Sequence, residues 1–329
     1  MSNKLIFLLA AMILITASCK QNNTSGSGTE DSNNLTKTDM DSIPKMNGFV
    51  LSDLQIPLDE IHQGGPPKDG IPAIDDPKFL KSNEANFLSD SDEVLAIVKN
   101  GIMKAYPVRI MNYHEIVNDR FGDDPVIVTF CPLCGSGVAF SGNINGENRT
   151  FGVSGLLFNS DVLLYDRETE SLWSQLMGQA VSGPSVDQNM EIVSMEQTSW
   201  KNWKERHPKT LVLSTETGFS RDYNTLPYDG YENSSRLYFP VNNKSDALEN
   251  KERVIGISVD SVHKAYSFSK LSEAKSLPIS DIVNGTEIQI YYDKESNSAR
   301  ITDKEGNLLP GTTLFWFAWF AFHPGTEVY

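Results

Sequence analysis

Two cysteines stand three positions apart in the stretch "VIVTFCPLCGSG", residues 126–137. A Cys-x-x-Cys pair can close a disulfide, exchange with other thiols, or supply two of the four ligands of a tetrahedral metal ion. Thiolates suit Cu or Zn, and such a site needs further ligands from elsewhere in the chain. Cys131 and Cys134 are therefore candidate catalytic residues for thiol–disulfide chemistry and candidate ligands of a soft metal.

A third metal ligand is predicted at His114, in the stretch "YHEIVND". The connection that contains this histidine leads directly into the strand that delivers Cys131, so the two residues belong to one structural unit. An imidazole nitrogen is a suitable ligand for both copper and zinc. The alternative is a capping or surface role, which is common for a single histidine.

Polar residues also follow the strand-like stretch "VLLYD", in "RETESLWSQ". Charged residues there are typical of a hairpin turn. If that region instead faces a cleft, Arg167, Ser171 and Gln175 would bind a ligand. A serine hydrolase is poorly supported, because Ser154 lacks the second glycine of a G-x-S-x-G turn.

The elements around the cysteine pair are a strand and a turn. Residues 126–130 are apolar or β-branched and predict a buried strand, and residues 135–137, Gly-Ser-Gly, predict a turn. No long amphipathic helix follows, so a thioredoxin fold is not expected. The glycines suggest an open loop, which would leave the pair accessible to solvent.

The N-terminus predicts export. Lys4 precedes an apolar run from residue 5 to residue 15, and small residues follow up to Cys19. This run is shorter than the roughly 20 residues of a membrane-spanning helix, and it resembles a lipoprotein signal peptide over residues 1–18, with Cys19 as the lipidated residue. An ordinary signal peptide is the alternative.

Residues 19–44 are polar and predict a flexible tether. The protein is thus expected in the cell envelope, anchored to a bacterial membrane through its N-terminal lipid. Disulfides can persist in that compartment.

The charge of the chain excludes one class of partner. The chain has 28 basic and 43 acidic residues, a net charge of −15. Such a surface repels a phosphate backbone, so nucleic acid is not an expected partner. A small-molecule or protein partner remains open.

An internal repeat organises residues 45–329, which are expected to form a single globular domain. The stretch "VLAIVKNGIMKAYPV" at 94–108 aligns without a gap on "VIGISVDSVHKAYSF" at 254–268. In each copy apolar residues alternate along the chain on both sides of a turn, which is typical of a β-hairpin. Each copy then continues into another strand. The predicted repeat covers about 94–130 and 254–292. The second copy lacks the cysteines, which favours a functional role over a disulfide required by the fold.

The predicted fold class is α+β and mostly β, with duplicated β-hairpin and strand units that share a core and a few short helices. The stretch "RIMNYHEIVND" predicts one or two helical turns, and "TSWKNWKERHP" predicts a helix capped by Thr198 or Ser199 and ended by Pro208. The stretch "LFWFAWFAFHP", 314–324, is too short to span a membrane and predicts a buried core segment.

Several of these stretches together resemble the prokaryotic domain-of-unknown-function family 3179, over about residues 85 to 325. They are "KAYPVRIMNYHEIVND", "PVIVTFCPLCGSGVAF", "FGVSGLLFNSDVLLYDRETESLWSQLMGQAVSG", "TSWKNWKERHPKTLVLS" and "FWFAWFAFHP". The resemblance implies that CPLC and SLWSQ belong to the family pattern. It implies no particular activity.

Two hypotheses of function remain. One is an envelope-anchored lipoprotein whose cysteine pair performs thiol–disulfide chemistry or binds Cu or Zn. The other is a non-catalytic lipoprotein that binds a ligand or a partner, in which the pair is a structural disulfide.

Overall fold

Short strands are the main regular element of the described chain, which is residues 43–329 of a computed structural model. The predicted signal peptide, Cys19 and nearly all of the predicted tether lie outside the described residues. In the part described, the first strands are β1 (Lys45–Met46), β2 (Phe49–Val50), β3 (Ile61–Gln63), β4 (Phe79–Lys81), β5 (Glu93–Lys99), β6 (Ile102–Pro107), β7 (Ile116–Phe121), β8 (Asp124–Cys131) and β9 (Ser136–Ser141). The next are β10 (Asn143–Ile144), β11 (Glu147–Asn148), β12 (Phe151–Phe158), β13 (Asp161–Asp166), β14 (Leu172–Ser174), β15 (Gln179–Ser182), β16 (Ile192–Val193), β17 (Glu196–Ser199) and β18 (Leu211–Leu213). The last are β19 (Arg253–Val259), β20 (Val262–Ser267), β21 (Ile279–Val283), β22 (Thr286–Asp293), β23 (Ser298–Thr302), β24 (Thr312–Phe315) and β25 (Glu327–Val328).

Helices are few and short. Within residues 43–329 they are α1 (Val108–His114), α2 (Trp200–Arg206), α3 (Phe268–Ser272) and α4 (Trp316–Phe322), with one 3₁₀ turn at Leu58–Glu60. The Ser199 side chain caps α2 by accepting a hydrogen bond from the backbone N–H of Asn202. Among these residues no helix is long and apolar enough to cross a membrane.

Five sheets of three to five strands are arranged as the blades of a ring. Their strand orders are β15-β14-β13-β12-β3, β16-β9-β8-β7, β17-β5-β6-β18-β4, β24-β19-β20-β25 and β21-β22-β23. The predicted fold class, mostly β with a few short helices, is confirmed. Residues 43–329 form one compact unit.

The repeat has the same order of elements in both copies. Strands β5 and β6, helix α1 and strands β7 and β8 correspond to β19 and β20, α3 and β21 and β22. The hairpins share a register, since Ala96 pairs with Ala105 in the first copy and Gly256 pairs with Ala265 in the second. Asn100 and Asp260 have positive φ in the two turns, as tight hairpin turns require.

The repeat extends further than the sequence analysis predicted. The unit β17-α2-β18 flanks the first hairpin, and β24-α4-β25 flanks the second in the same way, with one antiparallel and one parallel pairing. In both units a tryptophan indole N–H donates to a threonine hydroxyl seven residues later, Trp203 to Thr210 and Trp319 to Thr326. Helices α2 and α4 are thus linked to the segments that follow them by the same local hydrogen bond.

Apolar side chains form several clusters. Each copy of the repeat has a cluster of its own, and both also contribute to the largest cluster, which contains the cysteine pair and most of helix α4. As predicted, the aromatic segment near the C-terminus is buried, with Trp316 only 1% exposed. The Trp319 ring packs so closely on Gly256 that a Cβ there would lie 2.3 Å from it, which explains the glycine.

Candidate metal centre

The cysteines occupy the turn of a β-hairpin. Cys131 is the last residue of β8 and pairs with Ser136, the first residue of β9, so a four-residue turn joins the two strands. Gly135 closes the turn with φ +63°, a conformation that glycine adopts without strain. The turn therefore lies earlier than the expected residues 135–137, because Ser136 and Gly137 already belong to β9.

The second copy of the repeat makes the same turn without cysteine. Asp293 ends β22 and pairs with Ser298, and Asn297 has positive φ at the position of Gly135. There the Asp293 carboxylate accepts hydrogen bonds from the backbone N–H and the hydroxyl of Ser296, at 2.7 and 2.8 Å. A hairpin of this shape thus forms without a disulfide, so the cysteines are not needed to close it.

Both thiols are buried, and the expectation of a solvent-accessible pair is wrong. Cys131 and Cys134 are 0% exposed and are not bonded to each other. Phe315 covers the turn: its backbone N–H donates to the carbonyl of Cys134 at 2.8 Å, and its ring lies against Gly135. The glycine admits this aromatic ring instead of keeping the loop open.

A second hairpin turn faces the thiols. Asn159 and Ser160 form the two-residue turn between β12 and β13, and both have positive φ, which matches a type I′ turn. The Ser160 carbonyl accepts hydrogen bonds from the Cys134 thiol at 3.4 Å and from the Cys131 thiol at 3.8 Å. The next residue, Asp161, begins β13.

Asp161 completes a group of three metal-binding side chains. One ligand atom from each of Cys131, Cys134 and Asp161 lies within 4.8 Å of the others, and all three residues are buried. Asp161 Oδ2 accepts the Leu176 backbone N–H at 3.0 Å, whereas Oδ1 is buried without a hydrogen-bond partner. Buried carboxylate oxygens normally have a partner, so the free oxygen and the two thiols form a group that could hold a metal ion.

Glu115 adds a fourth acidic group. It follows helix α1 in the left-handed conformation, with φ +57°, and is only 5% exposed. No described residue donates a hydrogen bond to its carboxylate. Glu115 and Cys131 line the same cavity of about 40 Å³.

The electrostatics of the four groups share one cause. Burial raises the pKa of both thiols, and it raises the pKa of Asp161 to about 7 despite backbone N–H groups that favour the carboxylate. Burial, and then repulsion by Asp161, raises the pKa of Glu115 to about 8. Four acids in one apolar place disfavour one another's ionisation, and a bound cation would reverse that effect.

Lys251 is a basic group close enough to Cys134 to interact with it electrostatically. Lys251 donates hydrogen bonds from Nζ to the carbonyls of Tyr231, Ser234 and Arg236 at 3.0 to 3.4 Å. The ammonium lies 3.1 Å from the centroid of the Tyr231 ring. Burial lowers the pKa of Lys251 to about 8, although the nearby Cys134 favours its charged form.

A long segment without helix or strand, residues 214–252 between β18 and β19, contributes Tyr231 and Val241 to the apolar cluster that contains both thiols. We call this segment the cover. Its residue Tyr228, together with Pro132 of the cysteine turn, lines the 40 Å³ cavity and also a larger cavity of about 110 Å³. These two residues therefore border both cavities.

His114 is buried away from the cysteines. Its Nδ1 lies 2.7 Å from the carbonyl of Pro72, and its Nε2 lies 2.6 Å from the hydroxyl of Tyr223 in the cover. Both ring nitrogens thus have partners, and the group of three metal-binding side chains has Asp161 as its third member.

The predicted ligand-binding residues do not converge on one cleft. Arg167 forms an ion pair with Asp75 at 2.7 Å, and the buried Ser171 hydroxyl accepts the backbone N–H of Ser185 at 2.9 Å. Gln175 is buried beneath the cysteine hairpin, where it donates to Thr129 Oγ1 and accepts from Ser136 Oγ, both at 2.8 Å. Of the three, only Gln175 supports the cysteine hairpin.

The sequence analysis did not single out Asp161 and Glu115. Each has a local signal: Glu115 directly follows the histidine that was chosen, and Asp161 follows an Asn-Ser pair that suits a hairpin turn. Neither signal shows that the side chain is buried beside the thiols.

The fold and the site together define a mostly β protein with five blades, a duplicated hairpin unit and a buried pair of thiols beside carboxyl groups. The family described as "Protein of unknown function (DUF3179)" matches residues 68–326, and the chain belongs to this family. No curated protein and no solved structure matches the chain.

Proposed function

We propose that this protein is an envelope-anchored lipoprotein that binds one thiophilic divalent cation through Cys131, Cys134 and Asp161. The observation that carries the proposal is the buried Asp161 Oδ1, which has no hydrogen-bond partner and lies beside two unbonded thiols. A cation coordinated by both thiolates would satisfy this oxygen.

Charge balance supports a cation of charge +2. The two thiols, Asp161 and Glu115 are buried together, and burial raises the pKa of each one. A divalent ion stabilises the thiolate and carboxylate forms, and its binding releases their protons to solvent. Zinc binding is therefore expected to tighten as the pH rises.

The ligand set favours zinc over copper. Two thiolates and one carboxylate suit Zn(II), whereas Cu(I) prefers softer sets of sulfur and imidazole. Three protein ligands leave a fourth position open, as in catalytic zinc sites. Glu115 and the small cavity lie on the Cys131 side of the cluster.

The other roles of the cysteine pair have less support. Thiol–disulfide exchange needs an accessible thiolate, whereas these thiols are fully buried and burial raises their pKa. A structural disulfide is not needed, because Asp293 and Ser296 support the equivalent turn of the second copy.

The test is metal analysis of the full chain carrying Cys19→Ala, which leaves only the two cysteines of interest. After zinc loading and dialysis, we expect one zinc per chain and two thiols that become reactive only after chelation. Asp161→Asn should weaken zinc binding by more than the roughly 10- to 100-fold typical of outer-shell partners.

The matched control is Asp293→Asn, which changes the equivalent hairpin of the second copy and should leave zinc binding unchanged. The proposal fails if the protein retains no zinc, or if Asp161→Asn binds zinc as tightly as its parent.

A further inference from the structure

We propose that the 110 Å³ cavity beside the cysteine turn binds a small organic ammonium ion. The cavity lies between that turn, strand β17 and the cover. The proposed ammonium site depends only on the residues that line this cavity and does not require the metal. Only its link to the metal centre, through the shared side chains of Pro132 and Tyr228, rests on the proposed function.

Two buried polar atoms of the lining have no partner. Gln197 is 5% exposed and Tyr231 is 3% exposed, and neither Gln197 Oε1 nor the Tyr231 hydroxyl has a hydrogen-bond partner. Gln197 Nε2 donates to the carbonyl of Gly135 at 3.3 Å, which fixes the amide so that its oxygen is the free atom. A buried amide oxygen of this kind requires an N–H or O–H donor, which a ligand would supply.

The buried part of the cavity is aromatic. Phe130, Tyr228, Tyr231 and Phe315 all line it. Aromatic faces attract cations, most strongly where water is excluded. The ammonium of Lys251 already lies over one face of the Tyr231 ring, so a ligand cation would contact the other rings of the lining.

The charged groups of the lining are mainly acidic. They comprise the carboxylates of Glu93, Asp229 and Glu232 and a single guanidinium, that of Arg253, which gives a net charge of −2. Arg253 is paired with Glu93 at 2.5 Å, so the exposed Asp229 and Glu232 remain to attract a ligand. An acidic rim over an aromatic interior selects a cation and disfavours an anion.

The size of the cavity limits the ligand to a small molecule. A volume of about 110 Å³ accommodates an amine of several heavy atoms and excludes a folded partner. An N–H donor on that amine would reach Gln197 Oε1, which makes a primary ammonium a better ligand than a quaternary one.

The experiment compares three probes of equal length: propylammonium, 1-propanol and propionate. Binding to the full chain carrying Cys19→Ala is followed by NMR chemical-shift changes at pH 7. We expect propylammonium to bind with a Kd on the order of 1 mM. Propanol and propionate should bind at least about 10-fold more weakly, because they lack the charge that the rings and the rim attract.

Variants test the lining. Gln197→Leu should weaken propylammonium about 10-fold, the effect of losing one hydrogen bond from a charged donor. Gln289→Leu, at a half-buried position of β22 in the second copy, is the matched control and should have no effect. Glu232→Gln is exposed and cannot disturb the core; it should weaken binding about 2- to 5-fold. If Gln197→Leu does not fold, the affinity of the Glu232→Gln variant for propylammonium tests the proposal instead.

The proposal is overturned if propanol or propionate binds as tightly as propylammonium, or if these lining variants leave its affinity unchanged. The double variant Cys131→Ser with Cys134→Ser separates the two sites. It should lose zinc and keep the amine, and loss of amine binding in this folded variant would refute an independent ammonium site.

Discussion

Replacing Asp161 by asparagine should stabilise the metal-free protein more at pH 8 than at pH 5. Burial raises the pKa of Asp161 to about 7, above the ordinary value of 3.8. The folded protein therefore holds this proton more tightly than the unfolded chain does. The contribution of Asp161 to the free energy of unfolding is fully present below about pH 4. It is lost as the pH rises towards 7, because the folded state must then bear a buried charge. Asparagine does not ionise, so the variant escapes this loss.

The size of the change in the free energy of unfolding follows from the shift in the pKa of Asp161. A change of about 3 pKa units, at 1.36 kcal/mol each, sets an upper limit on the order of 4 kcal/mol. Glu115 shares its repulsion with Asp161, so the two contributions do not add. The asparagine oxygen can still accept the Leu176 N–H, but its amide group gains no partner. We therefore expect a gain of about 1–4 kcal/mol at pH 8 and a value lower by roughly 2–3 kcal/mol at pH 5.

Urea denaturation of the full chain carrying Cys19→Ala, in a chelator at both pH values, measures the difference. Asp281→Asn is the control, because Lys264 and Tyr266 hold the pKa of Asp281 below its ordinary value despite partial burial. That variant should be destabilised to a similar extent at pH 5 and pH 8. The reasoning is refuted if Asp161→Asn is less stable than its parent at pH 8, or if its effect does not depend on pH.

Three further predictions follow from other contacts. Cys19→Ala should release the protein from the membrane into the soluble envelope fraction, and recovery of the variant in washed membranes would contradict the lipid anchor. His114→Ala should cost about 2–4 kcal/mol in urea denaturation, because a buried hydrogen-bonded ring is lost; bound zinc should stay at one per chain, and its loss would restore His114 as a ligand. Lys251→Met should free the cover by removing its bonds to three carbonyls. Cys134 in the metal-free variant should then react faster with a disulfide reagent than in the matched surface variant Lys244→Met.

Local sequence signals predicted much of the fold. Alternation around Asn100-Gly101 predicted the first hairpin, and Ser199 with Pro208 bounded helix α2, because turns and caps depend on neighbouring residues. The match between β17-α2-β18 and β24-α4-β25 was missed, since its shared tryptophan, histidine, proline and threonine lie in segments of different composition.

The candidate site depended on contacts that no local pattern reveals. The cysteines were found because their spacing is distinctive. Asp161 reaches them only because the β12–β13 turn faces the turn after β8, and the sequence did not indicate that these two turns meet. His114 was chosen for its nearness along the chain, whereas a polar ring can also be satisfied by a carbonyl and a hydroxyl, as Pro72 and Tyr223 show.

The interleaved strand order constrains when this protein can fold. The sheet of the first repeat joins β5 and β6 to β17 and β18. The first two strands end by residue 107, and their partners begin only at residue 196, so this sheet cannot be completed until the later strands are available. Contacts so distant in sequence form slowly, and until they form the edge strands of the sheet remain unpaired. If the chain is exported as proposed, Cys131 and Cys134 emerge well before residue 213 and long before Phe315, which covers their turn. The thiols would meet the oxidants of the envelope during that interval, and early capture of zinc by Cys131, Cys134 and Asp161 would protect them until the blades close.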